Sequence, residues 1–430
     1  MHVACGGHVL SSEPHVHASS GGPPPRLRMS DVLRAAGGHI NEPCYSGHTQ
    51  SVLRSLRRCR TEELGYHVLD CTRCGHQEIR SRGCGSRHCP GCGRTRAHEW
   101  VRERKLELLE CPYHQLVFTL PPMFSMLVRE NPALLYKLLL DCVRDVLDEL
   151  ARDPKHLGGI PQFLLALHTW NGALDYHVHV HALMAAGAYE VETKRWIPSP
   201  HRRYLFPVKV LSALFRGKFV SGLRGLEAAG RLSMTWPDNT VLGTAAGWSI
   251  FVEQAYRTPF FTYVDKTAKG PDNAIEYLGH YLYRTGLSNS RLVSLEDGQV
   301  TYRCKDRKKR FSTSGAYTRT MPVTAFVNLF AKHILPKGFH RIRFAGLWSQ
   351  ACKRLHLQDA KEAVLRHRGQ RAVPRLVPPP RPQPVCPACR EGVLVLGCTV
   401  IPTSATTRRM IAHRPRGPPK DRPSAEASFP

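Results

Sequence analysis

The run Asp175-Tyr176-His177-Val178-His179-Val180-His181-Ala182-Leu183-Met184 constrains this chain more than any other stretch. Successive side chains of a β-strand point to opposite faces, so a strand here sets the imidazoles on one side and the valines on the other. β-branched valine favours that conformation, and Leu183 and Met184 carry it into a buried sheet. Neutral imidazole is the commonest metal ligand, and histidines two apart on a strand can converge on one ion. His177 and His181 stand roughly 13 Å apart along a strand, too far to share it. The expectation is a two-histidine site drawn from His177, His179 and His181, with its third ligand supplied from elsewhere.

A second stretch, Glu276-Tyr277-Leu278-Gly279-His280-Tyr281-Leu282-Tyr283-Arg284, adds chemistry to that site. On a helix Tyr277 and Tyr281 are i and i+4 and share a face, about 6 Å apart; Gly279 weakens the helix. Tyrosine can form covalent intermediates, and a cation that neutralises phosphate helps its attack. The bland alternative is an aromatic stripe packed into a core.

A chain of 430 residues can form two or three domains. Lys and Arg outnumber Asp and Glu 61 to 34, a net charge of +27 that points to a polyanionic partner, with nucleic acid the default. No apolar run approaches the ~20 residues of a membrane-spanning helix, and the first residues lack the apolar core of a signal peptide. Several of the fifteen cysteines form CxxC pairs, which predicts thiols and metal in a reducing, cytoplasmic compartment rather than disulfides.

Cys71-Thr72-Arg73-Cys74 and Cys89-Pro90-Gly91-Cys92 are two such knuckles with zinc-ribbon spacing. Their four sulfurs would complete one closed, structural zinc site. Cys59, Cys84 and His88 lie near enough to be additional ligands, and Arg87 and Arg94 give the module a basic surface for DNA. Cys386-Pro387-Ala388-Cys389 is half of another site, without a partner pair nearby.

Between these motifs, Gln115–Leu120 reads as a strand stopped by Pro121-Pro122, and 132–152 as a long amphipathic helix. Phe163–His168 reads as a buried strand joined to the histidine strand through the turn residues Asn171-Gly172. Further elements are a basic helix over 207–229, strands over 259–265 and 300–304, and a helix over 322–335.

In this order, these blocks resemble the rolling-circle insertion-sequence transposases of the IS91 type, two-tyrosine members of the HUH endonuclease superfamily. The resemblance runs over roughly residues 30–350. It rests on Cys59-Arg60-Thr61 through the knuckles, Arg87-His88-Cys89-Pro90, and Leu116-Val117-Phe118-Thr119-Leu120-Pro121. It continues through the histidine strand, Tyr277-Leu278-Gly279-His280-Tyr281, Ser288-Asn289-Ser290-Arg291-Leu292 and His333–Phe339. Val178, His280 and Ala325 depart from the family pattern without removing a proposed ligand or nucleophile.

The resemblance implies an α+β fold: an HUH-type catalytic domain with a central antiparallel sheet flanked by helices, preceded by a small zinc-ribbon-like domain. The expected division is a disordered extension over 1–28, a zinc-binding DNA-recognition domain over 29–110, a catalytic domain with its tyrosine helix over 111–350, and a basic tail over 351–430. It implies structural Zn²⁺, and a catalytic Mg²⁺ or Mn²⁺ on His179 and His181. Glu276, Asp175, a glutamine or a third histidine remain open as the third ligand. Tyr277 and Tyr281 become the nucleophiles, and Arg284 and Arg291 candidates for phosphate contact. The implied partner is single-stranded DNA at transposon ends and target, in a bacterial, nucleoid-associated setting. Two other classes fit parts of the sequence: a noncatalytic zinc-ribbon nucleic-acid binder, and a metal-dependent hydrolase that uses the His-x-His strand.

Overall fold

The computed structural model describes residues 27–201, 204–264, 274, 285–305, 316–370, 383–402 and 408–412. The described chain opens with helices α1 (Met29–Ala35) and α2 (Gly47–Arg57). A hairpin of β1 (Tyr66–Cys71) and β2 (Gln77–Ser81) leads to helix α3 (Pro90–Lys105). Strand β3 (Tyr113–Thr119) precedes α4 (Ser125–Glu130) and the long amphipathic α5 (Pro132–Arg152). The hairpin of β4 (Ile160–Trp170) and β5 (Tyr176–Glu190) comes next, with β6 (Arg195–Pro198) folded back on the end of β5.

Helices α6 (Val208–Ala228) and α7 (Ala245–Arg257) are followed by β7 (Phe261–Val264). Strands β8 (Leu292–Glu296), β9 (Gln299–Lys305) and β10 (Ala316–Pro322) form a small sheet of their own, capped by α8 (Val323–Ala331). Strand β11 (Ile342–Gly346), helix α9 (Gln350–His367), β12 (Leu394–Pro402) and β13 (Arg408–Ala412) complete the chain order.

The large sheet runs β11-β4-β5-β3-β7, with β6 beside β5, and every pairing in it is antiparallel. This is the α+β architecture with a central antiparallel sheet that the resemblance implies. Alternation along β5 sends Val178, Val180, Ala182 and Met184 to one face, where they meet the apolar stripe of α5 and Phe215 and Phe219 of α6. The opposite face carries His179, His181, Leu183 and Ala185. Beyond the histidines it is covered by Leu357, Ala360 and Val364 of α9 and by Trp348.

A third core joins α1, α2, the small sheet and α8 to the tip of the β4–β5 hairpin, through Leu33, Leu53, Trp170, Leu174, Tyr302 and Phe326. Among the described residues no helix is long and apolar enough to cross a membrane.

The expected tail over 351–430 needs correction. Ala360, Ala363 and Val364 lie on one face of α9, and this small-residue stripe lets the helix approach the sheet closely despite its many charges. Strand β12 then pairs antiparallel with β1, so the sheet β13-β12-β1-β2 is built from both ends of the chain. The Pro/Arg-rich stretch 371–382 and the extension over 1–26 lie outside the described residues.

On the α5 side, Phe124 is fully buried and meets Phe219, Phe251 and Phe260 edge-on, at centroid distances of 5.3 to 5.5 Å. Phe124→Ala should therefore cost roughly 3–5 kcal/mol, measured as a lower urea midpoint with an unchanged slope.

Candidate metal centre

The β4–β5 turn sets the site. The Asn171 side-chain oxygen accepts the backbone N–H of Ala173 at 2.8 Å and of Asp175 at 2.9 Å, closing the loop locally. Gly172 is required beside it, since a Cβ there would lie 2.4 Å from the Lys305 carbonyl oxygen. A register shift between His168 and Trp170 then places His168 directly across from His179 and Ala166 across from His181. Cross-strand partners share a face, so three imidazoles gather on one side of the sheet.

His168, His179 and His181 are buried, and one nitrogen from each lies within 4.8 Å of the others. The Nε2 atoms of His179 and His181 are 3.1 Å apart. Two nitrogens at right angles around an ion about 2.1 Å away would be separated by about 3.0 Å, so the pair suits adjacent positions on one ion. His179 Nδ1 lies 3.0 Å from the His177 carbonyl oxygen. Donation of Nδ1–H to that oxygen leaves the Nε2 lone pair for metal and fixes the ring. Trp170 stacks on His168 at 4.6 Å with an interplanar angle of 20°.

Two candidates leave the ligand set. His177 stands outside the group of three and contributes its carbonyl. Asp175 turns to Arg319, 2.7 Å away. Desolvation opposes ionisation of Asp175, but hydrogen bonds from Arg319 and Asn171 hold its carboxyl below the ordinary range. The third imidazole, His168, ends a strand that looks like ordinary core in sequence. Counting back from the Asn171 turn would pair it with Val178; the register shift between His168 and Trp170 is what brings it opposite His179.

Glu276, Tyr277, Tyr281 and Arg284 lie outside the described residues. The residues flanking them do not. Ala274 is fully buried with Leu164, Ala166, Leu183 and Ala185, on the face that carries the histidines. At the other end, Gly286 packs so closely that a Cβ would meet Leu174 Cδ1 at 2.7 Å and the Trp170 ring at 3.3 Å.

Two arginines assigned to DNA instead hold backbone. Arg87 donates to the carbonyls of Pro336, at 2.9 Å, and Phe339. Arg291 is buried and donates to Arg303 at 2.6 Å, Gly286 at 3.1 Å and Gly172 at 2.7 Å, tying three segments at the hairpin tip. The Arg94 side chain lies outside the described residues. His88 is not a ligand of either cysteine cluster; it is buried beside Arg87, and desolvation with the Arg87 and Arg341 charges lowers it to about 3.

The cysteines also regroup. Cys89 and Cys92, at the start of α3, gather with Cys59 and Cys84, while Cys71 and Cys74 gather with Cys386 and Cys389. The single site expected from Cys71, Cys74, Cys89 and Cys92 is thereby corrected. The β1–β12 ladder carries the first knuckle toward the C-terminal one and away from α3. In the first cluster Cys59 lies 3.4 Å from Cys89 and 3.6 Å from Cys92, and Cys84 lies 3.9 Å from Cys92. Sulfurs bound tetrahedrally at about 2.3 Å from zinc are about 3.8 Å apart, so this set fits a structural zinc. Hydrogen bonds from Cys84 and Cys89 draw the Cys59 thiol down to about 7, whereas the contact with Cys59 pushes Cys84 and Cys89 up. Four adjacent thiols cannot all ionise without a cation among them.

A four-cysteine module, a buried imidazole cluster and a strongly basic chain place this protein among zinc-containing proteins that act on DNA. A family model described as "Putative transposase" matches residues 163–355, and one described as "Transposase zinc-binding domain" matches residues 34–120. The "Putative transposase y4qJ" of Sinorhizobium fredii is 32% identical over 340 residues, covering 78% of this chain and 84% of that protein. The "Transposase for insertion sequence element IS801" of Pseudomonas savastanoi pv. phaseolicola is 27% identical over 309 residues, covering 71% and 72%. No solved structure matches. The chain belongs to the IS91-type transposases, with a zinc-binding domain and DNA transposition as its function.

Two outcomes follow from this geometry. Arg291→Lys cannot reach three carbonyls from one point charge, and should cost roughly 2–3 kcal/mol of stability. It should leave the salt dependence of DNA binding unchanged, whereas loss of a phosphate contact would lower that slope by about one. His333 is buried, 3.1 Å from Thr169 Oγ1 and 2.9 Å from the Leu174 carbonyl oxygen, and burial lowers it to about 4. Unfolded, it titrates at the ordinary value near 6.5. Its contribution is therefore complete above pH ~6.5 and falls as pH drops through the folded value, by on the order of 3 kcal/mol. Urea midpoints taken between pH 7 and pH 4 should fall less steeply in His333→Gln.

Proposed function

We propose that this transposase nicks and rejoins single-stranded DNA at transposon ends through a 5′-phosphotyrosine, as in rolling-circle transposition. The observation that carries the proposal is positional. Ala274 and Gly286 are packed on or beside the face that holds His168, His179 and His181, and the two tyrosines lie between them in sequence. At most a few residues of chain on either side separate Tyr277 and Tyr281 from those anchors.

His168, His179 and His181 would hold Mg²⁺ or Mn²⁺; imidazole suits the softer Mn²⁺ better than Mg²⁺, which prefers oxygen. When bound, the ion supplies Lewis-acid polarisation of the scissile phosphate. Tyr277 or Tyr281 attacks phosphorus through its phenol oxygen. The new O–P bond forms as the bond to the 3′ oxygen breaks; the phenol loses its proton, and the departing oxygen gains one as a 3′-hydroxyl. Phosphotyrosine conserves the bond energy, so the same 3′-hydroxyl or another can reverse the step without an external energy source. A second tyrosine lets a second strand be held before the first is released. The surplus of positive charge favours the DNA backbone by counterion release, without sequence preference.

Incubation with end-containing single-stranded DNA and Mn²⁺ should give a protein–DNA adduct that survives SDS. Tyr277→Phe combined with Tyr281→Phe should abolish the adduct while DNA binding persists. His179→Ala should slow its formation roughly 10³-fold, the equivalent of several kcal/mol of lost transition-state stabilisation. An adduct that persists in the double phenylalanine variant would overturn the proposal. Free 5′-phosphate without adduct would indicate a hydrolase, and intact DNA a binding protein.

A further inference from the structure

The second cysteine cluster joins parts of the chain more than three hundred residues apart. Cys71 Sγ lies 3.8 Å from Cys389 Sγ, and Cys74 Sγ lies 3.8 Å from Cys386 Sγ. That is the edge expected of a tetrahedron with about 2.3 Å from sulfur to zinc, and it is far longer than the ~2.0 Å of a disulfide. A backbone amide points at a sulfur on each knuckle, from Arg73 to Cys71 at 3.4 Å and from Gly392 to Cys389 at 3.3 Å. Such amide contacts orient thiolate ligands. Gly392 leaves room for the group, since a Cβ there would lie 2.5 Å from Cys71 Sγ.

Among the described residues, the sheet around this cluster has a small apolar core. The apolar cluster at the cysteines is Cys71, Cys386 and Leu394, with Leu69 and Cys389 packed against them, and Val400 of β12 is buried further along. Ile79 on β2 and Met410 on β13 are exposed. A four-stranded sheet with so small a core needs a staple, and metal binding to thiolates supplies folding free energy directly.

We propose that Cys71, Cys74, Cys386 and Cys389 hold a second structural zinc ion, which clasps the C-terminal strand β12 onto the N-terminal hairpin. The zinc-binding module is then not confined to the N-terminal region: half of its second site arrives from beyond residue 380. The two zinc sites differ in setting. The cluster of Cys59, Cys84, Cys89 and Cys92 sits in the core shared with α1, α2 and the hairpin tip, whereas the second is peripheral and depends on chain ends meeting.

Alkylation of the native full-length protein, read by peptide mass spectrometry, tests the clasp. Cys44 and Cys74 are both exposed. Cys44 should react at once. Cys74 should be protected together with Cys71, Cys386 and Cys389, and all four should become reactive together when a chelator removes zinc. Zinc content should fall by one equivalent per chain in Cys386→Ser combined with Cys389→Ser. Alkylation of Cys74 and Cys389 at the rate of Cys44 would overturn the proposal, as would equal zinc content in the variant and the natural chain. If the variant does not fold, the alkylation pattern of the natural protein decides.

Discussion

The pairing register between β4 and β5 is the constraint on which the metal centre depends. Strand side chains alternate faces, so a slip of one residue would send His168 into the apolar core beneath α5 and break the group of three. The Asn171 turn, Gly172 against the Lys305 carbonyl, and Arg291 on the Gly172 carbonyl all act on the tip of this hairpin. They hold a register that apolar burial on both faces already favours. The backbone thereby fixes where the three imidazoles stand, and an ion that took them would not have to order three side chains.

Much of this was legible because it is written in local periodicity. The alternating His-Val run gives a strand and a face, the leucines of 132–152 give an amphipathic helix, and Asn171-Gly172 gives a hairpin. Ligand partnership is another kind of information. His168 follows five apolar residues and differs from a core histidine only through its partner across the hairpin. The cysteine knuckles mislead for a similar reason. Fourteen residues between Cys74 and Cys89 imitate a single ribbon, yet each pair finds its complement through tertiary contacts, one at the end of α2 and the other across the β1–β12 ladder.

Arginines show the same blindness of sequence to direction. A guanidinium near a functional motif looks alike whether it faces phosphate or backbone carbonyls. Arg87 and Arg291 spend their donors on carbonyls of the loop 336–339 and the hairpin tip. The net charge of +27 therefore overstates the number of phosphate contacts the surface can make. Counting basic residues predicts affinity for a polyanion; only their hydrogen bonds tell which of them can touch it.

Packed side chains run from the first cysteine cluster to the imidazole cluster. Cys59 and Cys89 belong to the same apolar core as Trp170 and Leu174. Trp170 in turn stacks on His168, and Gly286 packs against Trp170 and Leu174 where the chain leaves the tyrosine segment. A close-packed interior transmits displacement because it has no slack to absorb it. Anything that loosens the four thiolates should therefore be felt first at the Trp170 ring and then at the His168 imidazole. The core that seats the first cysteine cluster thus continues to the edge of the imidazole cluster.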